Sequence, residues 1–164
     1  MDDAELAAEV DDALRLRHAI ACELGTFFVW QSVRPRRRTP VFLPSDRLLD
    51  RVAPGGTREA DYVRYLEQAT LGTVDLTFGR PLTGDPSDPK PPIPFPQTIA
   101  RSVQIGTLFA EVAASLAVIG RIEIAGLGTF RRVRIGRTPT DVVTFEPAPR
   151  LRDAVNATPP APRG

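Results

Sequence analysis

One histidine, His18, and one cysteine, Cys22, stand four positions apart in a chain of 164 residues. A zinc site needs three or four such ligands at fixed spacing, and no third one follows here, so the pair reads as chemically idle and no metal or cofactor is expected. No phosphate loop, nucleophile and base pair, or paired-carboxylate motif stands out either, and an enzyme is not the expectation. What the chain offers instead is arginine. Arg34, Arg36, Arg37 and Arg38 form one cluster, Arg131, Arg132, Arg134 and Arg137 a second, and Arg150 and Arg152 follow closely. Guanidinium groups bind phosphate oxygens in a planar, two-pronged geometry, so such clusters suit the neutralisation of a polyanionic backbone. The competing use is a solvated sheet edge whose charges keep strands of different molecules apart.

The formal net charge of +1 conceals this segregation, because residues 2–12 carry only acids. Lys90 is the only lysine, a bias that genome composition explains as well as ligand choice. With 42% hydrophobic and 25% charged residues the composition is that of a globular protein, and no apolar run approaches the roughly 18 residues of a membrane span. Met1-Asp2-Asp3-Ala4-Glu5 has the wrong charge for a signal or transit peptide, so a cytoplasmic location is expected. Of the 17 prolines, seven fall between Pro81 and Pro96, which marks one segment as an extended spacer.

The elements that would hold the arginines come in two sets. Leu24-Gly25-Thr26-Phe27 recurs as Leu127-Gly128-Thr129-Phe130, and Phe42, Pro44, Arg47, Leu48, Asp50 and Val52 recur without a gap as Phe145, Pro147, Arg150, Leu151, Asp153 and Val155. Agreement over about thirty positions indicates a duplicated unit. Each unit opens with a helical pattern, Ala4 to Leu16 in the first and about Gln97 to Ile119 in the second, with Gly120 as its stop. In the second unit, strands follow over Arg121 to Ile124, Thr129 to Ile135 and Asp141 to Phe145. Short helices close the units at Ser45 to Val52, with Ser45 as N-cap, and at Pro149 to Asn156. Thr57 to Leu71 reads as a further amphipathic helix. The resulting division is a first unit at 1–53, a second at 54–156 with a proline-rich insertion at 73–96, and a tail at 157–164.

Three motifs of the second unit carry a resemblance: Gly126-Leu127-Gly128-Thr129-Phe130, then Arg134-Ile135-Gly136-Arg137-Thr138-Pro139-Thr140, then Phe145-Glu146-Pro147 leading to Leu151-Arg152-Asp153-Ala154-Val155-Asn156. In combination they resemble the HU/IHF family of bacterial nucleoid-associated DNA-bending proteins, and the first unit resembles a degenerate partner. The resemblance implies an α+β fold of helices packed on small antiparallel sheets with β-arms, and intertwined halves whose arms embrace the minor groove. The duplication then implies a pseudo-dimer within one chain, favoured by the high effective concentration that a linker supplies; pairing of each unit with another chain is the alternative. Two departures stand out. The interval from Phe130 to Phe145 leaves about seven residues each way, so the tip reaches only about 23 Å from the phenylalanine. Thr138 and Asp141 also stand where the family has Asn and Gly.

The candidate DNA-binding residues are therefore Arg34, Arg36, Arg37, Arg38, Arg132, Arg134, Arg137, Pro139 and Arg152. Pro139 and Pro40 read first as turn prolines and second as wedges that unstack a base step. Phe27, Phe28, Trp30 and Phe130 read as core rather than base-stacking platforms. The expected function is architectural: duplex DNA held by phosphate backbone and minor groove with little sequence preference, in the nucleoid, and bent if the arms reach. The alternative keeps the fold and assigns it to a protein partner, through the proline-rich segment or the acidic first helix.

Overall fold

Gly25 and Gly128 begin the strands that organise the chain, and both have a backbone that only glycine adopts easily, at φ +150° and +152°. A Cβ on Gly25 would lie 2.1 Å from the Leu43 carbonyl oxygen, and one on Gly128 would lie 2.3 Å from that of Glu146. The absent side chain thus lets each neighbouring strand approach closely, at the same place in both repeats.

The computed structural model describes residues 1–32, 37–54, 99–135 and 140–157. In chain order these form α1 (Asp3–Arg15), β1 (Ala19–Cys22), β2 (Gly25–Ser32), β3 (Arg37–Pro44), α2 (Asp46–Val52), β4 (Ile99–Ser102), α3 (Thr107–Val118), β5 (Arg121–Ile124), β6 (Gly128–Ile135), β7 (Thr140–Pro147) and α4 (Pro149–Asn156). The fold is mixed α+β, with two small sheets ordered β3-β2-β1-β4 and β5-β6-β7. The β2–β3 hairpin runs in antiparallel register from Gly25 opposite Pro44 to Ser32 opposite Arg37. The β6–β7 hairpin runs identically from Gly128 opposite Pro147 to Ile135 opposite Thr140. The backbone bond from Ser45 N–H to Leu24 C=O likewise has its counterpart from Ala148 N–H to Leu127 C=O.

The register sets Phe27 opposite Phe42 and Phe130 opposite Phe145, and these four rings meet at the centre of one core. Within each hairpin the centroids lie 4.8 and 5.0 Å apart, with interplanar angles of 39° and 36°. Across the hairpins, Phe27–Phe145 and Phe42–Phe130 make edge contacts at 5.6 and 5.1 Å, with angles of 78° and 84°. Equivalent pairs thus have near-equal geometries, the signature of an approximate two-fold relation. The helices obey it too: α1 packs on α4, whereas α2 packs on α3, so each closing helix lies against the opening helix of the other repeat.

Each helix follows from its apolar spacing. In α1, Leu6, Val10, Ala13 and Leu14 fall on one stripe and are buried. Asp2 caps its start by accepting the Glu5 N–H at 2.8 Å. Ser45 caps α2 through the Leu48 N–H at 3.1 Å, as its residue type predicts, and α4 has its span fixed by Pro149 in its first turn. The acids of α1 find local partners, Asp11 with Arg15 and Glu9 with Arg101, each at 2.6 Å.

The opening helix of the second repeat is shorter than its spacing predicts. Gln97 to Ile119 is not one helix: Ile99–Ser102 is a strand that pairs in parallel with β1, and α3 begins only at Thr107. Gly106 at φ +61° breaks the chain there. The apolar residues Ile99, Val103 and Ile105 alternate at period two, and the main-chain N–H groups of Val103 and Ile105 are satisfied by Ala21 C=O and the Glu23 carboxylate at 2.9 and 2.8 Å. The expected helix over Thr57 to Leu71, the proline-rich insertion and residues 158–164 lie outside the described residues.

Candidate nucleic-acid interface

Each hairpin outlasts its third strand. β1 pairs with β2 only as far as Phe27, and β5 with β6 only as far as Arg131. Beyond those points each hairpin continues as a two-stranded ribbon, four or five residues per strand and roughly 13–17 Å long, whose inner side chains Phe28, Val29, Val142 and Val143 are still buried in the core. These ribbons carry the arginines.

Arg37 and Arg134 lie on the ribbons, their backbones paired with Ser32 and Asp141. Arg34, Arg36, Arg137 and Pro139 lie outside the described residues. Arg38 stands opposite Gln31, one residue pair short of the last described pair of the first ribbon, Ser32 opposite Arg37. Its main chain is gripped from α4: the Arg38 N–H donates to Asn156 Oδ1 at 2.9 Å, and Asn156 Nδ2 donates to the Arg38 carbonyl at 2.8 Å. The guanidinium is left with a buried Nε that has no acceptor.

On the second ribbon the charges are partly engaged. Arg132 Nη1 donates to the Val52 carbonyl at the end of α2, at 3.4 Å. Arg131 and Arg152 share the Glu146 carboxylate, at 3.4 and 3.7 Å. The carboxylate beside Arg152 is therefore Glu146 on the neighbouring strand rather than Asp153 on its own helix. All three of these ion-pairing side chains are about one-third exposed, so the network is worth little as stability, but it halves the free charge at this root.

Arg17 was not among the residues read from the sequence, yet it belongs to this face. It follows α1 with φ +63°, the one positive value at a non-glycine among the described residues. Nη1 donates to the carbonyls of Leu14 and Arg15 at 3.3 and 3.1 Å, at the negative end of the helix. Nη2 is buried without an acceptor. Burial and then the repulsion of Arg38 pull the Arg17 pKa down, so the two guanidiniums are electrostatic neighbours. α3 is likewise followed by a residue at positive φ, Gly120, but no motif in the sequence marks Arg17.

The remaining candidates resolve simply. Phe27, Phe28 and Phe130 are core. His18 is exposed. Cys22 is largely buried, which pushes its thiol up to about 11 against the opposing pull of the Leu24 and Gly25 backbone, and such a thiol is no nucleophile at neutral pH. No helix is long and apolar enough to cross a membrane among the described residues. No protein-family model, curated protein or solved structure matches the chain.

Proposed function

We propose that the chain is a single-chain HU/IHF-like architectural protein, a pseudo-dimer whose two arginine-bearing ribbons hold duplex DNA through its phosphates and minor groove. The observation that carries the reading is the pairing of two ribbons in identical register on one shared core, with Phe27, Phe42, Phe130 and Phe145 at its approximate two-fold. The exchange of closing helices between repeats supports the intramolecular arrangement, because it is what an intertwined dimer requires. Recognition is electrostatic and shape-based, no bond is made or broken, and the nucleoid is the place for such work. With ribbons this short, bending is limited to what contacts near their roots can impose.

The test is binding to a labelled duplex by fluorescence anisotropy across a salt series. If about six phosphates are neutralised, log K falls with log salt at a slope near −5. Arg36→Ala/Arg37→Ala/Arg38→Ala should weaken binding by about a hundredfold or more and flatten the slope by roughly 3. Failure to bind at low salt would refute the reading. The engagement of Arg131, Arg132 and Arg152 with the protein itself favours a second reading, in which the same fold docks a protein partner. Exposed Leu16, Val118 and Ile119 at the ends of α1 and α3 would then be its contact surface.

A further inference from the structure

We propose that Arg17 and Arg38 together form a phosphate-binding site where the first ribbon meets the ends of α1 and α4, taking one backbone phosphate of the duplex. The identity of the ligand rests on the architectural reading above; the anion site itself does not.

Three observations converge on it. The first is conformational. An arginine occupies the left-handed backbone position that follows α1, whereas the left-handed position that follows α3 is filled by a glycine, Gly120. A side chain there is strained, and strain of this kind is held where the side chain has a task. The second is electrostatic. Two guanidiniums stand close enough to repel, and among the described residues neither has a carboxylate partner. Elsewhere on the same face the arginines do find one, as Arg131 and Arg152 find Glu146. The third is hydrogen-bonding geometry. Arg17 Nη2 and Arg38 Nε are both buried donors without acceptors, a costly state that is relieved when the two side chains turn to an anion.

The parts are also held in place. Asn156 fixes the Arg38 main chain with two hydrogen bonds, and the last carbonyls of α1 fix Arg17 Nη1. A tetrahedral anion with several acceptor oxygens can bridge two neighbouring guanidiniums, which a single chloride cannot do as well. A phosphate bound here would lie against the ends of α1 and α4 as well as the ribbon, so contact would extend to the body of the protein.

The distinguishing variant is Arg17→Gly, which removes strain and repulsion together with the site. It should melt at a higher temperature than the parent and bind phosphate less, a combination that a purely structural arginine would not produce. Inorganic phosphate, titrated against chloride at fixed ionic strength, should raise the melting temperature of the parent chain but not of Arg17→Gly or Arg38→Gln. On duplex DNA, Arg17→Gly should lose about tenfold in affinity and reduce the salt slope by about 1. A parent that responds to phosphate but binds no duplex would uphold the anion site and overturn its assignment to DNA. A parent whose melting temperature is indifferent to phosphate would overturn the site, whether or not the ribbons bind DNA.

Discussion

Phe130 is fully buried and touches rings from both repeats, Phe145 at 5.0 Å within its own hairpin and Phe42 at 5.1 Å in the other. Truncation to alanine would remove a whole ring from a core that cannot collapse to fill it, at about 3–5 kcal/mol. Against a total stability of roughly 5–15 kcal/mol that leaves too little to measure a second change. Leucine is the better probe, at about 1–1.5 kcal/mol per site, since it keeps most of the volume while deleting the aromatic edge. A cycle of Phe42→Leu, Phe130→Leu and the double variant isolates the contact between repeats. Edge-to-face pairs of this geometry carry about 0.5–1.5 kcal/mol beyond burial, so the double variant should be less destabilised than the sum of the singles by that amount. Urea unfolding followed by circular dichroism gives the four free energies, and a common slope would establish that all four unfold the same surface. The parallel cycle of Phe130→Leu with Phe145→Leu reports the contact inside one hairpin. If that pair couples and Phe42–Phe130 does not, within about 0.3 kcal/mol, the repeats do not share a core and the pseudo-dimer falls.

Gly128→Ala forces a Cβ to 2.3 Å from the Glu146 carbonyl oxygen and 2.6 Å from the Phe145 ring, so thermal or urea unfolding should show a loss of about 2–4 kcal/mol; a neutral outcome would mean that β6 and β7 are not so close. The Cys22 thiol rises from an ordinary 9.0 to about 11 on folding, so between those values the unfolded chain ionises while the native chain stays protonated. Stability should be complete below pH 9, fall by about 2–3 kcal/mol as the pH climbs through the window and then level off. Cys22→Ala should remove that fall, and an equal fall in the variant would contradict the burial argument.

Local chemistry was readable from the sequence and distant chemistry was not. Pro149 and Ser45 announced their helices because a first-turn proline and a capping hydroxyl act within one turn, and both helices stand where expected. The glycine and phenylalanine motifs located the hairpins for the same reason, since the close approach at Gly25 and Gly128 is local to one strand pair. β4 was lost because a parallel strand takes its meaning from a partner far along the chain. Four residues of mixed polarity beside a strong helical stripe were absorbed into that stripe. The candidate interface divides in the same way. Arginine clusters are visible as composition, but which cations are neutralised depends on Glu146, on the strand paired with that of Arg131 and just ahead of the helix that carries Arg152. Arg17 was invisible until its backbone angle and its neighbour Arg38 were known.

The first sheet also has a history written into its edges. Its β1 edge is covered by β4, and its β3 edge is clasped at Arg38 by Asn156, a residue 118 positions later. During synthesis both edges therefore stay open after the first repeat has emerged, and the outer strands close only when the second repeat arrives. A nascent chain in that state exposes two unpaired strand edges, the feature most prone to wrong partnerships between molecules. The arginines of the first ribbon then serve a second purpose, as like charges that hold half-made chains apart until their own later segments reach them.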